Sequence, residues 1–219
     1  MGISVLVYGK SGSGKSRALK NFAPDEILLV NPTGKRLPFP GGFKFVLKSD
    51  RYDLIQDWLK KMPMKTAVID DAGYLLTNAF MRGHSAPKSG SSSFDLYNTI
   101  ADNFWGLLQF IQYQLPEDVI VYLNMHETST DFGETKLRTI GKLLDEKVCI
   151  EGLVTVCLRC MTDGTRHYFK TQSGGNDISK SPEGMFPPEI DNDLKAVDTR
   201  IREYWNMVPS DDPADHEPV

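Results

Sequence analysis

The chain has 219 residues, 40% hydrophobic and 25% charged, which is enough for one domain with a substantial core and short for two. Eighteen Gly and thirteen Pro are ordinary usage and exclude collagen-like and wholly disordered classes. Four of the 29 acidic residues (Asp211, Asp212, Asp215 and Glu217) follow Pro209, so residues 1–208 hold 25 charges of each sign, and bulk charge neither demands nor excludes a nucleic-acid partner.

The apolar run Ile3–Tyr8 predicts a buried strand. It is too short for a secretory signal and leads into a glycine-rich loop, and a strand there argues against a free, acylated Gly2. Lys15–Phe22 reads as the helix after that loop. Glu26–Asn31 is a second strand, closed by Pro32-Thr33-Gly34, and Phe43–Leu47 a short third. Tyr52–Lys61 has helical spacing, Lys65–Asp70 is an apolar strand ending in two acids, and Ala72–Arg82 is expected to be helical. Gly83–Ser93 has no periodicity and predicts a mobile loop. Phe94–Leu115 is a long amphipathic helix stopped by Pro116, followed by a buried strand at Asp118–Met125, a polar loop at His126–Glu134 and a helix at Lys136–Glu146. Val148–Cys160 and Arg166–Thr171 pair as a hairpin around Thr162-Asp163-Gly164, and a loop, Gln172–Gly184, precedes a last helix at Asn192–Met207. No run of about 18 apolar residues occurs, so no membrane partner is expected.

Apolar strands alternating with helices predict one α/β domain over residues 1–208, with a mostly parallel sheet covered on both faces and a C-terminal β-hairpin extension. Residues 209–219 read as an acidic, disordered tail that solubilises the chain, competes for a DNA-binding surface or recruits a basic partner. Three cysteines, Cys149, Cys157 and Cys160, fit a reducing, cytoplasm-like compartment. Cys157 and Cys160 have the spacing of a zinc knuckle, but residues three apart on a strand point to opposite faces, so they read as buried thiols.

Gly9-Lys10-Ser11-Gly12-Ser13-Gly14-Lys15-Ser16 fits G-x-x-x-x-G-K-[ST] at every position, between a predicted strand and a predicted helix. Such a loop, with Arg17 beside it, wraps backbone N–H groups around phosphates. Lys15 is expected to bridge the outer phosphates of ATP and Ser16 to ligate Mg²⁺. The acid-tipped strand Thr66–Asp70 supplies the second metal partner, Asp70. Asp71 either polarises the attacking water or caps the following helix. The strand Asp118–Met125 is expected to lie beside the loop strand, which makes Asn124 or His126 a reporter of the terminal phosphate; for His126 the alternative is a hydrogen-bonded loop histidine.

Together with Asn31–Pro38, Ile69–Asp71, Thr139–Lys147, Lys180–Phe186 and Asp191–Leu194, this loop resembles a family of phage-encoded RecA-like ATPases. These are AAA-type nucleotide-binding proteins, some of which act as single-strand annealing recombinases. The resemblance runs from about Ile3 to Tyr204. It implies a RecA-like P-loop NTPase core, Mg²⁺ and ATP as cofactors, single-stranded DNA binding and self-association into a ring or filament. It also implies work alongside a single-strand binding or other replication protein, in the host cytoplasm. One departure stands out: RecA-type enzymes carry a catalytic glutamate after the second strand, where this chain has Asn31-Pro32-Thr33-Gly34, so slow hydrolysis is expected.

Two loops are candidates for DNA contact: Gly83–Ser93 with Arg82, His84 and Lys88, and His126–Lys142 with Lys136, Arg138, Lys142 and a stacking Phe132. Lys170 and Lys180 are candidate cationic fingers reaching a neighbouring subunit. Two other readings use the same loop: a nucleotide-gated loader with little hydrolysis, and a small-molecule kinase. The kinase lacks an arginine-rich lid, since only Arg159 and Arg166 lie between Arg138 and Arg200.

Overall fold

Aliphatic and β-branched runs form nine strands in a computed structural model that describes residues 1–85 and 93–207. Lys88, most of the Gly83–Ser93 loop and the acidic tail lie outside the described residues. In chain order the strands are β1 (Ile3–Gly9), β2 (Ile27–Val30), β3 (Phe45–Leu47), β4 (Thr66–Ile69) and β5 (Ile120–Ser129), then β6 (Thr135–Leu137), β7 (Val156–Thr162), β8 (His167–Lys170) and β9 (Glu189–Asp191). They form one sheet in the order β3-β2-β4-β5-β1-β7-β8-β9, with β6 paired to β5. From β3 to β7 all neighbours run parallel, whereas β8, β9 and β6 join antiparallel.

The inner strands are buried along nearly their whole length because helices cover both faces. On one face Leu6, Tyr8, Leu28, Ala67 and Ile69 pack under α1 (Tyr52–Lys61), α2 (Gly73–Gly83) and α3 (Ser93–Gln114). On the other, Val5, Val7, Leu29 and Val68 pack against Ala18, Leu19 and α4 (Leu194–Tyr204). Asp193 caps α4, its carboxylate accepting from the N–H groups of Lys195 and Ala196. The Gly2 N–H is bonded to the Leu115 carbonyl at 3.0 Å, which fixes the start of β1 against the end of α3. Cys157 belongs to the first core and Cys160 to the second, so the strand places the two thiols on opposite faces, as the spacing requires. No described helix is long and apolar enough to cross a membrane.

Three expected elements differ. Lys15–Phe22 is not a full helix: one tight 3₁₀ turn spans Ser16–Leu19, and the Phe22 N–H closes back on the Leu19 carbonyl. Pro24 disfavours helical backbone at Ala23, and Phe22 turns into the core. The polar segment His126–Glu134 is not a loop throughout: β5 continues to Ser129 and pairs with β6, and Gly133, at φ +81°, closes the turn. Lys136–Glu146 is not a helix. Thr135 and Leu137 are buried on β6, Gly141 sits at φ +93° against Tyr97, and only one wide turn, Leu143–Lys147, remains. The expected hairpin forms from β7 and β8, but its first strand begins at Val156 rather than Val148, with a 3₁₀ turn at Glu151–Leu153 in place of the expected strand start. β7 lies parallel to β1, so it continues the main sheet rather than standing apart from it.

Candidate active site

Parallel pairing brings the ends of several strands to one edge. Gly9 lies opposite His126, and Ile69 opposite Leu123, so the Gly9–Ser16 loop, Asp70-Asp71 and Asn124–His126 emerge together, with β5 between β1 and β4. A cavity of about 310 Å³ opens there, lined by Gly12, Lys15, Ser16, Asp70, Asp71 and His126, and by Arg17, Lys35, Arg36 and His167 from neighbouring segments.

The loop's shape depends on its glycines. A Cβ on Gly9 would lie 2.4 Å from the Cys160 carbonyl oxygen, and one on Gly14, at φ +108°, 2.7 Å from His167 Nδ1. The loop is braced from behind. His167 Nδ1 is 2.7 Å from the Ser13 carbonyl oxygen, and the Cys160 thiol approaches the same oxygen at 3.2 Å. Arg17 donates to Asn192 Oδ1 at 3.1 Å, and the Asn192 amide donates to Cys160 Sγ. Burial pushes the Cys160 thiol up to about 11, so it packs here as a neutral group. Lys10 and Ser11 are exposed at the loop tip.

Lys15 Nζ donates to the Gly9 and Lys10 carbonyls, each at 2.9 Å. Burial pulls its pKa below the ordinary lysine value, opposed by Cys160, Asp71 and Asp70. The Ser16 hydroxyl lies 2.9 and 2.8 Å from the two Asp70 oxygens, and Asn124 Nδ2 donates to Asp70 Oδ1 at 2.8 Å. Burial raises the Asp70 carboxyl, against the bonds from Asn124 and Ser16. A buried carboxylate beside a hydroxyl, with a lysine at the loop mouth, is a donor set that suits a divalent cation held together with phosphate oxygens. Ser16, with Asp70 acting through water, would hold the ion, and Lys15 the outer phosphates. The bound ion would supply charge neutralisation on those phosphates.

Asp71 departs from ordinary geometry. Its φ is +60°, uncommon for a residue with a side chain. Ala72, not Asp71, occupies the N-cap position of α2, and no side chain caps that helix. The Asp71 carboxylate instead forms an ion pair with Lys35 and lies 3.3 Å from His126 Nε2. Burial alone would raise this carboxyl, but His126 and Lys35 outweigh it and hold it at about 2. β5 thus sends one side chain to each carboxylate: Asn124 to Asp70 and His126 to Asp71. Tyr74 stands edge-on to His126, ring centroids 6.3 Å apart.

Of the expected DNA-contact residues, Phe132, Lys136 and Arg138 gather elsewhere, whereas Arg82 on α2 pairs with Asp50 and His84 stacks on Phe80. Phe132, 94% exposed, tops the β5–β6 hairpin, and with Lys136 and Arg138 it lines a shallow depression of about 620 Å³. Asp131, Glu134 and Asp145 line it too. Lys142 is exposed outside it. The Arg138 N–H bonds to the His126 carbonyl at 2.8 Å, so the hairpin is tied to the end of the candidate sensor strand. Lys170 bonds Asp177 at 2.6 Å within its own chain, and the Lys180 backbone exchanges hydrogen bonds with Cys157.

Sequence reasoning misses Lys35, Arg36, His167 and Asn192 as site residues. Lys35, Arg36 and Asn192 lie in segments that carry the family resemblance, but nothing local gives them a role; His167 and Asn192 reach the loop through the pairing of β8 with β7 and β9. No protein-family model matches the chain, and no curated protein sequence matches it.

Proposed function

We propose that this chain is a RecA-like P-loop ATPase that binds Mg²⁺-ATP at the edge formed by β1, β4 and β5. The observation that carries this reading is the Ser16 hydroxyl bonded to both oxygens of Asp70, beside Lys15 and across the intervening β5 from the glycine loop. Single-stranded DNA as partner, self-association, and a role in phage-type recombination or strand annealing come from the resemblance described above. The exposed Phe132 and the basic Lys136 and Arg138 on a hairpin tied to His126 support that partner, against the acids Asp131, Glu134 and Asp145 beside them. The test is thermal stabilisation by Mg²⁺-ATP. It is expected in the wild type and lost in Lys15→Ala, and stabilisation that survives the substitution argues against the reading.

A second reading, a nucleotide-gated loader that hydrolyses little, is favoured by Asp71. Held at about 2, that carboxylate accepts a proton poorly and serves better to orient water than to deprotonate it. The kinase reading loses support because both intervening arginines are engaged: Arg159 holds Glu127 through two 2.9 Å bonds, and Arg166 holds Asp163 and Glu189.

A further inference from the structure

Resting on the nucleotide reading above, we propose that Lys35 is an in-chain cation for the terminal phosphate of a nucleoside triphosphate, and so the residue that tells triphosphate from diphosphate. Lys15 enters the cavity from the loop after β1, whereas Lys35 enters from the segment after β2, on the far side of β4 and its two acids. The two lysines therefore approach from opposite flanks of the Asp70-Asp71 tip.

Its surroundings fix the backbone and free the ammonium. Asn31 Nδ2 donates to the Lys35 carbonyl at 2.8 Å, Thr33 Oγ1 donates to Asn31 Oδ1 at 3.1 Å, and Gly34 turns at φ +67°. The Lys35 side chain is 60% exposed while that of its partner Asp71 is 5% exposed, so the ammonium is the partner free to move. Its Nζ lies 5.8 Å from the centre of the Tyr74 ring, which flanks it at the cavity edge. A terminal phosphate arriving next to two carboxylates needs positive charge on that flank. Lys35 supplies it by exchanging Asp71 for the phosphate, and Asp71 keeps His126.

The test is the affinity for Mg²⁺-ATP and Mg²⁺-ADP, each read by displacement of a fluorescent nucleotide. Lys35→Met is expected to weaken ATP about tenfold while moving ADP less than about twofold. Lys35→Arg should keep most of the preference for ATP. Lys35→Met combined with Asp71→Asn should stay weak for ATP. Equal losses for both nucleotides, an unchanged ATP affinity, or recovery in the double variant would overturn the assignment; recovery would mean that Lys35 only neutralises Asp71. Lys15→Ala separates the two ideas. Loss of both nucleotides there, with an unchanged ATP:ADP ratio in Lys35→Met, removes the Lys35 role alone, and a wild type that binds neither nucleotide removes both.

Discussion

Replacing Asp70 by Asn is expected to stabilise the protein alone and abolish its response to Mg²⁺-nucleotide. Asp70 is only 7% exposed, and burial raises its carboxyl despite the bonds from Asn124 and Ser16, with the neighbouring Asp71 charge adding to the rise. A carboxyl raised in the fold costs stability as pH climbs from the unfolded value through the folded one, and the cost is fully present above it. The amide introduced by Asp70→Asn keeps an oxygen for Ser16. Its new N–H can be accepted by Asn124 Oδ1, a buried atom without a partner among the described residues, if the Asn124 amide that now donates to Asp70 turns over. Relief of one incompletely compensated buried charge is worth about 1–2 kcal/mol. For a chain of this size that is a Tm rise of about 2–8 °C near neutral pH, fading as the pH falls through the raised titration range of Asp70 and gone by about pH 4. At a hundredfold excess over its dissociation constant, nucleotide should stabilise the wild type by about 2.7 kcal/mol. The variant should lose this, because an amide does not replace a carboxylate at a divalent cation. Urea unfolding followed by tryptophan fluorescence, with and without Mg²⁺-ATP, measures both. A variant less stable than wild type without nucleotide, or one still stabilised by Mg²⁺-ATP, refutes the reasoning.

Gly9→Ala should destabilise the fold by about 1–3 kcal/mol in urea unfolding, because its Cβ meets the Cys160 backbone at 2.4 Å; wild-type stability would show that the loop and β7 are not packed this closely. Since His126 and Lys35 hold Asp71 at about 2 in the nucleotide-free fold, it is ionised there above about pH 4, and kcat/KM for ATP should show no acid limb in that range. An acid limb near pH 5 that disappears in Asp71→Asn would contradict this. Phe132→Ala should weaken single-stranded DNA binding by about 1–3 kcal/mol with little change in salt dependence. Lys136→Ala with Arg138→Ala should flatten the salt dependence instead, and unchanged binding in both variants would move the DNA surface elsewhere.

What was legible in the sequence was what local pattern encodes. Ile3–Tyr8, Lys65–Asp70 and Tyr52–Lys61 were readable because their apolar residues recur with strand or helix period, and the glycine loop because its spacing is itself the constraint. The position of β5 beside β1 was also foreseeable, and it places Asn124 and His126 as expected. The Lys136–Glu146 error came from helix-compatible residues that Gly141 and the pairing of β6 with β5 override. The Lys15–Phe22 helix failed at the junction with Pro24, where the chain must leave for β2. The roles of Lys35, His167 and Asn192 could not be found locally: Lys35 reaches Asp71, and His167 and Asn192 reach the loop, through strand order and helix entry, a property of the whole sheet. That Asp71 does not cap α2 likewise depended on partners distant in sequence, Lys35 and His126, which take its carboxylate instead.

The most direct test of the proposed activity is Mg²⁺-dependent ATP turnover with and without single-stranded DNA, in the wild type and in Lys15→Ala. Slow turnover that needs Mg²⁺, rises with single-stranded DNA and vanishes in the variant is the expected result. Turnover that ignores DNA, or that persists without Lys15, would contradict it.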